Sequence, residues 1–143
     1  MEGHMRLINP DGLPRPVGFS HVAIPEGGEP FFFAGQTGHH RDGSLDDGLV
    51  AQFGAACRNV EAALAAAGAK PTDVASMQIL VTDVAAYRAS LSDVGEAYRS
   101  VFGRHFPAMT LVGVSELFDP KAVVEIVVVG YRSRDDQGDS RDT

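Results

Sequence analysis

The chain has 143 residues, 44% of them hydrophobic and 22% charged, with a formal net charge of -7, which suits one globular domain large enough to bury its own core. A single cysteine, Cys57, excludes a disulfide framework and a multi-cysteine zinc site. No apolar run approaches the ~20 residues of a membrane-spanning helix, and scarce lysine with scattered arginine argues against broad binding to nucleic-acid phosphates.

The first four residues of "MEGHM" read as an expression leader ahead of Met5. They lack the basic-then-apolar pattern of a secretory signal, and with one cysteine the expected setting is a reducing, cytoplasmic compartment. One domain is expected over 5–132. A disordered acidic tail, "SRDDQGDSRDT", is expected over 133–143; its two arginines and four aspartates hold -2 of the charge and leave -5 to the rest.

Along the chain, "FSHVAI" (19–24) alternates roughly, and "FFFAG" (31–35) is a short aromatic strand ended by glycine. "GHHRDGS" (38–44) is a turn. Over 48–67, Leu49, Phe53, Val60 and Leu64, with Ala56 and Ala67, form one stripe of a helix. Asp47 is placed to cap its start and Gly68 to end it. "VASMQILVT" (74–82) is a strand, and Tyr87, Leu91, Val94, Tyr98 and Val101 mark a second helix within 84–103. Gly95 is out of place inside that helix, where it costs about 1 kcal/mol against alanine. "MTLVGV" (109–114) and "AVVEIVVVGY" (122–131) are the most apolar strands, joined by the turn "ELFDPK" (116–121).

The element order reads β-β-β-α-β-α-β-β: an α+β fold with a mixed sheet and both helices on one face. Strand 122–131 is apolar on both faces, so something must cover the side away from the helices. A second copy of the chain is the simplest cover, which predicts a closed homo-oligomer.

Glu125 interrupts that strand. A carboxylate there must be paired, hydrogen-bonded, protonated or open to a pocket. Two readings stand: a structural carboxylate at an interface or strand edge, or a functional one that orients a water or exchanges a proton. His39 and His40 lack a third ligand at a metal-site spacing, so no metal is expected and an exposed turn is. His21 and His105 are isolated. The serines lack a G-x-S-x-G context. Gly35 and Gly38 in "GQTG" fit a tight turn and match no dinucleotide pattern, so a dinucleotide site is not indicated. Cys57 reads as a small core residue.

Taken in order, "FFFAGQTGHHRDGSL", "AQFGAACRNVEAALAAAGAKPTDVASMQILVTD" and "FPAMTLVGVSELFDPKAVVEIVVVGY" resemble the reactive intermediate deaminase (Rid) family, also called YjgF-like or endoribonuclease L-PSP, over about 17–131. The resemblance implies a chorismate-mutase-like fold and a homotrimer whose sheets form an inner barrel with small-molecule pockets between subunits. It also implies, for some members, cofactor-free hydrolysis of imines and enamines to keto acids and ammonia. In those members an arginine follows "FPA" and clamps the substrate carboxylate. Here Met109 stands there. A family tyrosine aligns with Phe19, a serine with Ala34, an asparagine with Gly95 and a cysteine with Leu111. Glu125 and the backbone of Gly35 match, while Gln36 and Thr37 are candidate new polar contacts. Each departure runs from polar to apolar or small.

Three functions follow as expectations: a Rid-type hydrolase or deaminase acting through Glu125 on a ligand less polar than a 2-imino acid; a non-catalytic binding or structural trimer; and, least favoured by the acidic charge, a ribonuclease.

Overall fold

The computed structural model describes residues 5–133. The expected leader and all of the expected tail after Ser133 lie outside the described residues; Ser133 itself is buried.

Four short strands precede the first helix: β1 (Met5–Ile8), β2 (Val22–Pro25), β3 (Glu29–Phe32) and β4 (Gln36–Thr37). Then follow α1 (Leu49–Ala66), β5 (Val74–Val81), α2 (Val84–Ala89), α3 (Leu91–Phe102), β6 (Ala108–Gly113) and β7 (Val124–Arg132). The expected α+β class and mixed sheet are present. Four details differ. The strand expected over 31–35 ends at Phe32, and β4 follows it as a separate pairing on β7. The expected strand 19–24 forms only from Val22, and it pairs with β1, where no strand was expected. The expected helix 84–103 is two helices meeting at Ser90, whose backbone (φ -112, ψ 19) leaves the helical region; serine favours helix ends over interiors. Asp47 does not cap α1: Gly48 holds that position without a side-chain hydrogen bond. Glycine is an acceptable N-cap, so α1 starts one residue past the expected cap.

The C-terminus of α1 behaves as read. Gly68 adopts φ 69, the Gly68 N–H donates to the Ala65 carbonyl and the Ala69 N–H to the Leu64 carbonyl, which is the Schellman closure. Phe53, Ala56, Cys57, Val60 and Leu64 are buried at 1% exposure or less, so the stripe read from the sequence faces the core. Burial pushes the Cys57 thiol up to about 12.

The sheet has the order β3-β7-β5-β6, with β4 also on β7 beyond β3. Only the β5–β6 pair is parallel. The central strand β7 turns Val124, Ile126, Val128 and Gly130 inward, where all are buried; Glu125, Val127, Val129 and Tyr131 alternate onto the other face and stay half-buried. Phe32 pairs with Val129 on that face and is 75% exposed. On the side away from the helices, the strip along β7 and β3 is therefore largely apolar and open in the single chain. No helix among the described residues is long and apolar enough to cross a membrane.

Two inward residues have little room for change. A Cβ at Gly130 would collide with the Asp73 carbonyl oxygen and the Phe31 ring. His105 is buried between helix and sheet; its Nε2 donates to the Val74 carbonyl (2.7 Å) and its own carbonyl accepts from the Tyr98 hydroxyl (2.5 Å), a satisfied core histidine.

Two predictions follow from this packing. Gly130→Ala should lose about 3 kcal/mol in chemical denaturation, the upper end for forcing a methyl into a packed core; unchanged stability would contradict the close approach to Asp73. Cys57 is protonated in the fold at pH values where the unfolded chain, near 9.0, gives up its proton. Its contribution is therefore complete below pH 9 and lost as pH rises toward 12. Cys57→Ala should flatten part of that alkaline decline in a pH series of melts, and native protein at pH 8 should resist iodoacetamide.

Candidate functional site

The strand alternation that builds the core also builds two clefts. Met109 and Leu111 project toward the helices, level with Met77 and Ile79 of β5. With Phe19, Phe106, Gly95 and Tyr98 they line a largely apolar cleft of about 730 Å³ between β6 and α3. On the opposite face, Ser20, His21, Ser76, Gln78, Thr110, Val127 and Val129 surround a smaller and more polar cleft of about 460 Å³. Phe19 and Met109 border both. The methionine thus stands where the two clefts meet.

Glu125 borders neither cleft. It lies on the open face two residues from Val127, which floors the polar cleft, a step of about 7 Å along a strand. It is half-buried, and its carboxylate has no hydrogen bond or ion pair among the described residues. Because β7 is central in the sheet, the strand-edge reading of Glu125 does not hold. Gly35 approaches it closely: a Cβ at 35 would overlap the Glu125 carboxylate, with Cδ only 2.8 Å away. That glycine keeps the acid reachable from the exposed turn 34–35.

Gln36 and Thr37 are engaged with their own chain. Gln36 Nε2 donates to the Ala34 carbonyl (3.2 Å), and the Thr37 hydroxyl meets His39 Nδ1. Thr37 is the cross-strand partner of Glu125. His39 Nε2 lies 2.8 Å from Asp119 Oδ2. An ionised carboxylate only accepts, so Nε2 donates; in the neutral ring Nδ1 then accepts from Thr37. The His39 hydrogen bond, followed by that from the Lys121 backbone N–H, holds the Asp119 carboxyl below its usual range. Asn59 Nδ2 donates to the carbonyls of Thr37 and His39, pinning this turn to α1. The expected exposed turn is thus half true: His40 is exposed and pairs with Asp46 (3.1 Å), whereas His39 is half-buried and fixed.

The structure therefore gathers Phe19, Met109 and Leu111 around one cleft and Ala34, Gly35, Gln36, Thr37 and Glu125 near one turn, without joining the two groups in a single chain. Sequence reading missed the His39–Asp119 contact, which spans 80 residues and has no local signature. It also missed Ser76 and Gln78, although their alternation with Met77 and Ile79 carries the signal. Among the described residues, no group of three or more histidine, cysteine or carboxylate side chains is arranged to hold a metal ion.

Known proteins are similar to this chain. The sequence profile of the endoribonuclease L-PSP family matches residues 14–131. A RutC family protein of Aquifex aeolicus is 33% identical over 128 residues, covering 87% of this chain and 99% of the relative. Among solved structures, a Rid-family protein of Yersinia pestis, itself of unknown function, is similar with a TM-score of 0.80 at 28% identity, over 90% of this chain and 99% of that one. A YjgF-family protein of Mycobacterium tuberculosis is similar with a TM-score of 0.60 at 30% identity, over 89% and 98%. The strand order, the "FPA" entry to β6 and the carboxylate on β7 fall inside the matched span, and the chain belongs to the endoribonuclease L-PSP family, the YjgF-like or Rid proteins.

Proposed function

We propose that this chain assembles as a homotrimer over its open sheet face and binds a small metabolite beside Met109, where it hydrolyses the C=N bond of an imine, or of an enamine through its imine, without a cofactor. Water adds to the carbon, the C–N bond breaks, and ammonia leaves as the carbonyl forms. Glu125 positions the water and exchanges the proton. The observation that carries this reading is the half-buried carboxylate of Glu125, without a partner among the described residues, on an otherwise apolar strand face. A carboxylate left free on an apolar strand face is available to accept hydrogen bonds from water, which favours a use for it. Met109 supplies no charge, so the preferred substrate lacks the carboxylate of a 2-imino acid.

A non-catalytic binding trimer is the second reading. It is favoured by the apolar or small residues at Phe19, Ala34, Gly95 and Leu111, and by Glu125 bordering neither cleft of the single chain. Ribonuclease activity, suggested by the family's name, suits a net charge of -7 poorly.

The assay compares two imines generated in place. Amino-acid oxidase yields 2-iminobutyrate, and amine oxidase acting on phenylethylamine yields an imine without a carboxylate. The protein should speed ammonia release from the second at least tenfold more than from the first, and Glu125→Gln should remove that gain. A gain that survives Glu125→Gln contradicts the role of the acid, and no gain on either imine selects the binding trimer. Met109→Arg should raise affinity for 2-ketobutyrate, read by calorimetry, about tenfold; unchanged affinity would show that the other apolar replacements block the carboxylate.

A further inference from the structure

The Thr37–His39–Asp119 chain ends one strand pairing away from Glu125. Thr37 and Glu125 are cross-strand partners, so their side chains leave the same face of the sheet, with Cβ atoms about 5 Å apart. The backbone of this segment is fixed. Gly38 lies so close to α1 that a Cβ would come within 2.5 Å of the Gln52 carbonyl oxygen, and Asn59 Nδ2 holds the carbonyls of Thr37 and His39. Protons and side-chain rotamers are what remain free to change. The Thr37 hydroxyl has one proton, and with His39 neutral that proton goes to Nδ1. The Glu125 carboxylate lies against Gly35, two residues before Thr37, and accepts no hydrogen bond among the described residues.

Charge on His39 reverses this pattern. An imidazolium carries hydrogen on both nitrogens. Nε2 keeps its bond to Asp119, 2.8 Å away. Nδ1 becomes a donor, so the Thr37 oxygen accepts from it and the hydroxyl proton turns to another acceptor. The carboxylate across the strand pair is that acceptor. The other charged groups around the ring are committed: His40 pairs with Asp46 (3.1 Å), and Lys121 acts on Asp119 through its backbone N–H and its charge. Asn59, from α1, is uncharged.

We propose that His39 is a positioning residue for Glu125: when the ring takes up a proton, the Thr37 hydroxyl turns and donates to the Glu125 carboxylate, drawing it away from Gly35. The neutral ring releases the acid. On the catalytic reading of Glu125, on which this consequence rests, the acid is free to act on water only above the His39 titration, so hydrolysis rises with pH through it. The reversal of the hydrogen bond does not itself depend on catalysis.

Labelled glutamate carboxyl carbons, with Glu125 assigned by its loss in Glu125→Gln, follow the acid through a pH series without substrate; the His39 ring proton Hε1 follows the base. The Glu125 carboxyl should show its own titration and a second inflection at the pH where His39 titrates. His39→Gln and Thr37→Val should each abolish the second inflection, and Thr37→Ser should keep it. An inflection that survives Thr37→Val means that the histidine charge acts through space, which overturns the proposal. A wild-type carboxyl without the second inflection overturns it with no variant needed. A chain that only holds the turn gives that result, together with a lower melting temperature in Thr37→Val. The imine assay reads the catalytic role of Glu125 separately, so either reading can fail alone.

Discussion

The pairing of β7 between β5 on one side and β3 and β4 on the other governs the rest of the molecule. Its register sets Val124, Ile126 and Val128 against the helices and, by the same alternation, Glu125, Val127 and Val129 on the opposite face. A slip of one residue would bury the carboxylate in the core and turn the inner valines and isoleucine outward. Burial on one face thus fixes the acid's place on the other. The close approach of Gly130 to Asp73 and Phe31 holds that register at one end, and Gly35 against Glu125 marks the other.

The chemistry divides along the same sheet. The helix side of β6 carries a largely apolar cleft; the open side carries polar groups and, one step away, the acid Glu125. Met109 is common to both, and its thioether adapts to either without fixing a charged ligand. The segment 37–39 that follows Gly35 is held by hydrogen bonds from Asn59 and by the Thr37–His39–Asp119 chain. The polar side chains of that turn serve its shape first.

Elements with strong periodicity were legible in the sequence. The stripe of α1, its ending at Gly68 and the three apolar strands follow from spacing and from the backbone freedom of one glycine. What the sequence hid was set by partners far along the chain. β1 and β4 exist because β2 and β7 offer them hydrogen bonds, and four or two residues alone carry too little pattern to read. The break at Ser90 falls inside a continuous apolar stripe that masks it. Asp47 has the right chemistry for a cap, yet Gly48 takes the position. At the site, Glu125 stood out as a charge in an apolar run. His39 could not be separated from His40 until Asp119, 80 residues away, was seen against it. Gly95 was visible as an anomaly, and the packing around it gives no reason for a glycine there.

The central claim is that the outward face of β7, apolar around a single acid, is covered by further copies of the chain. Sedimentation equilibrium of the purified protein tests it most directly. The account predicts one species with three times the 15.2 kDa chain mass, and Val127→Lys should shift it to smaller species. A wild-type chain that sediments at its single mass across micromolar concentrations would contradict it.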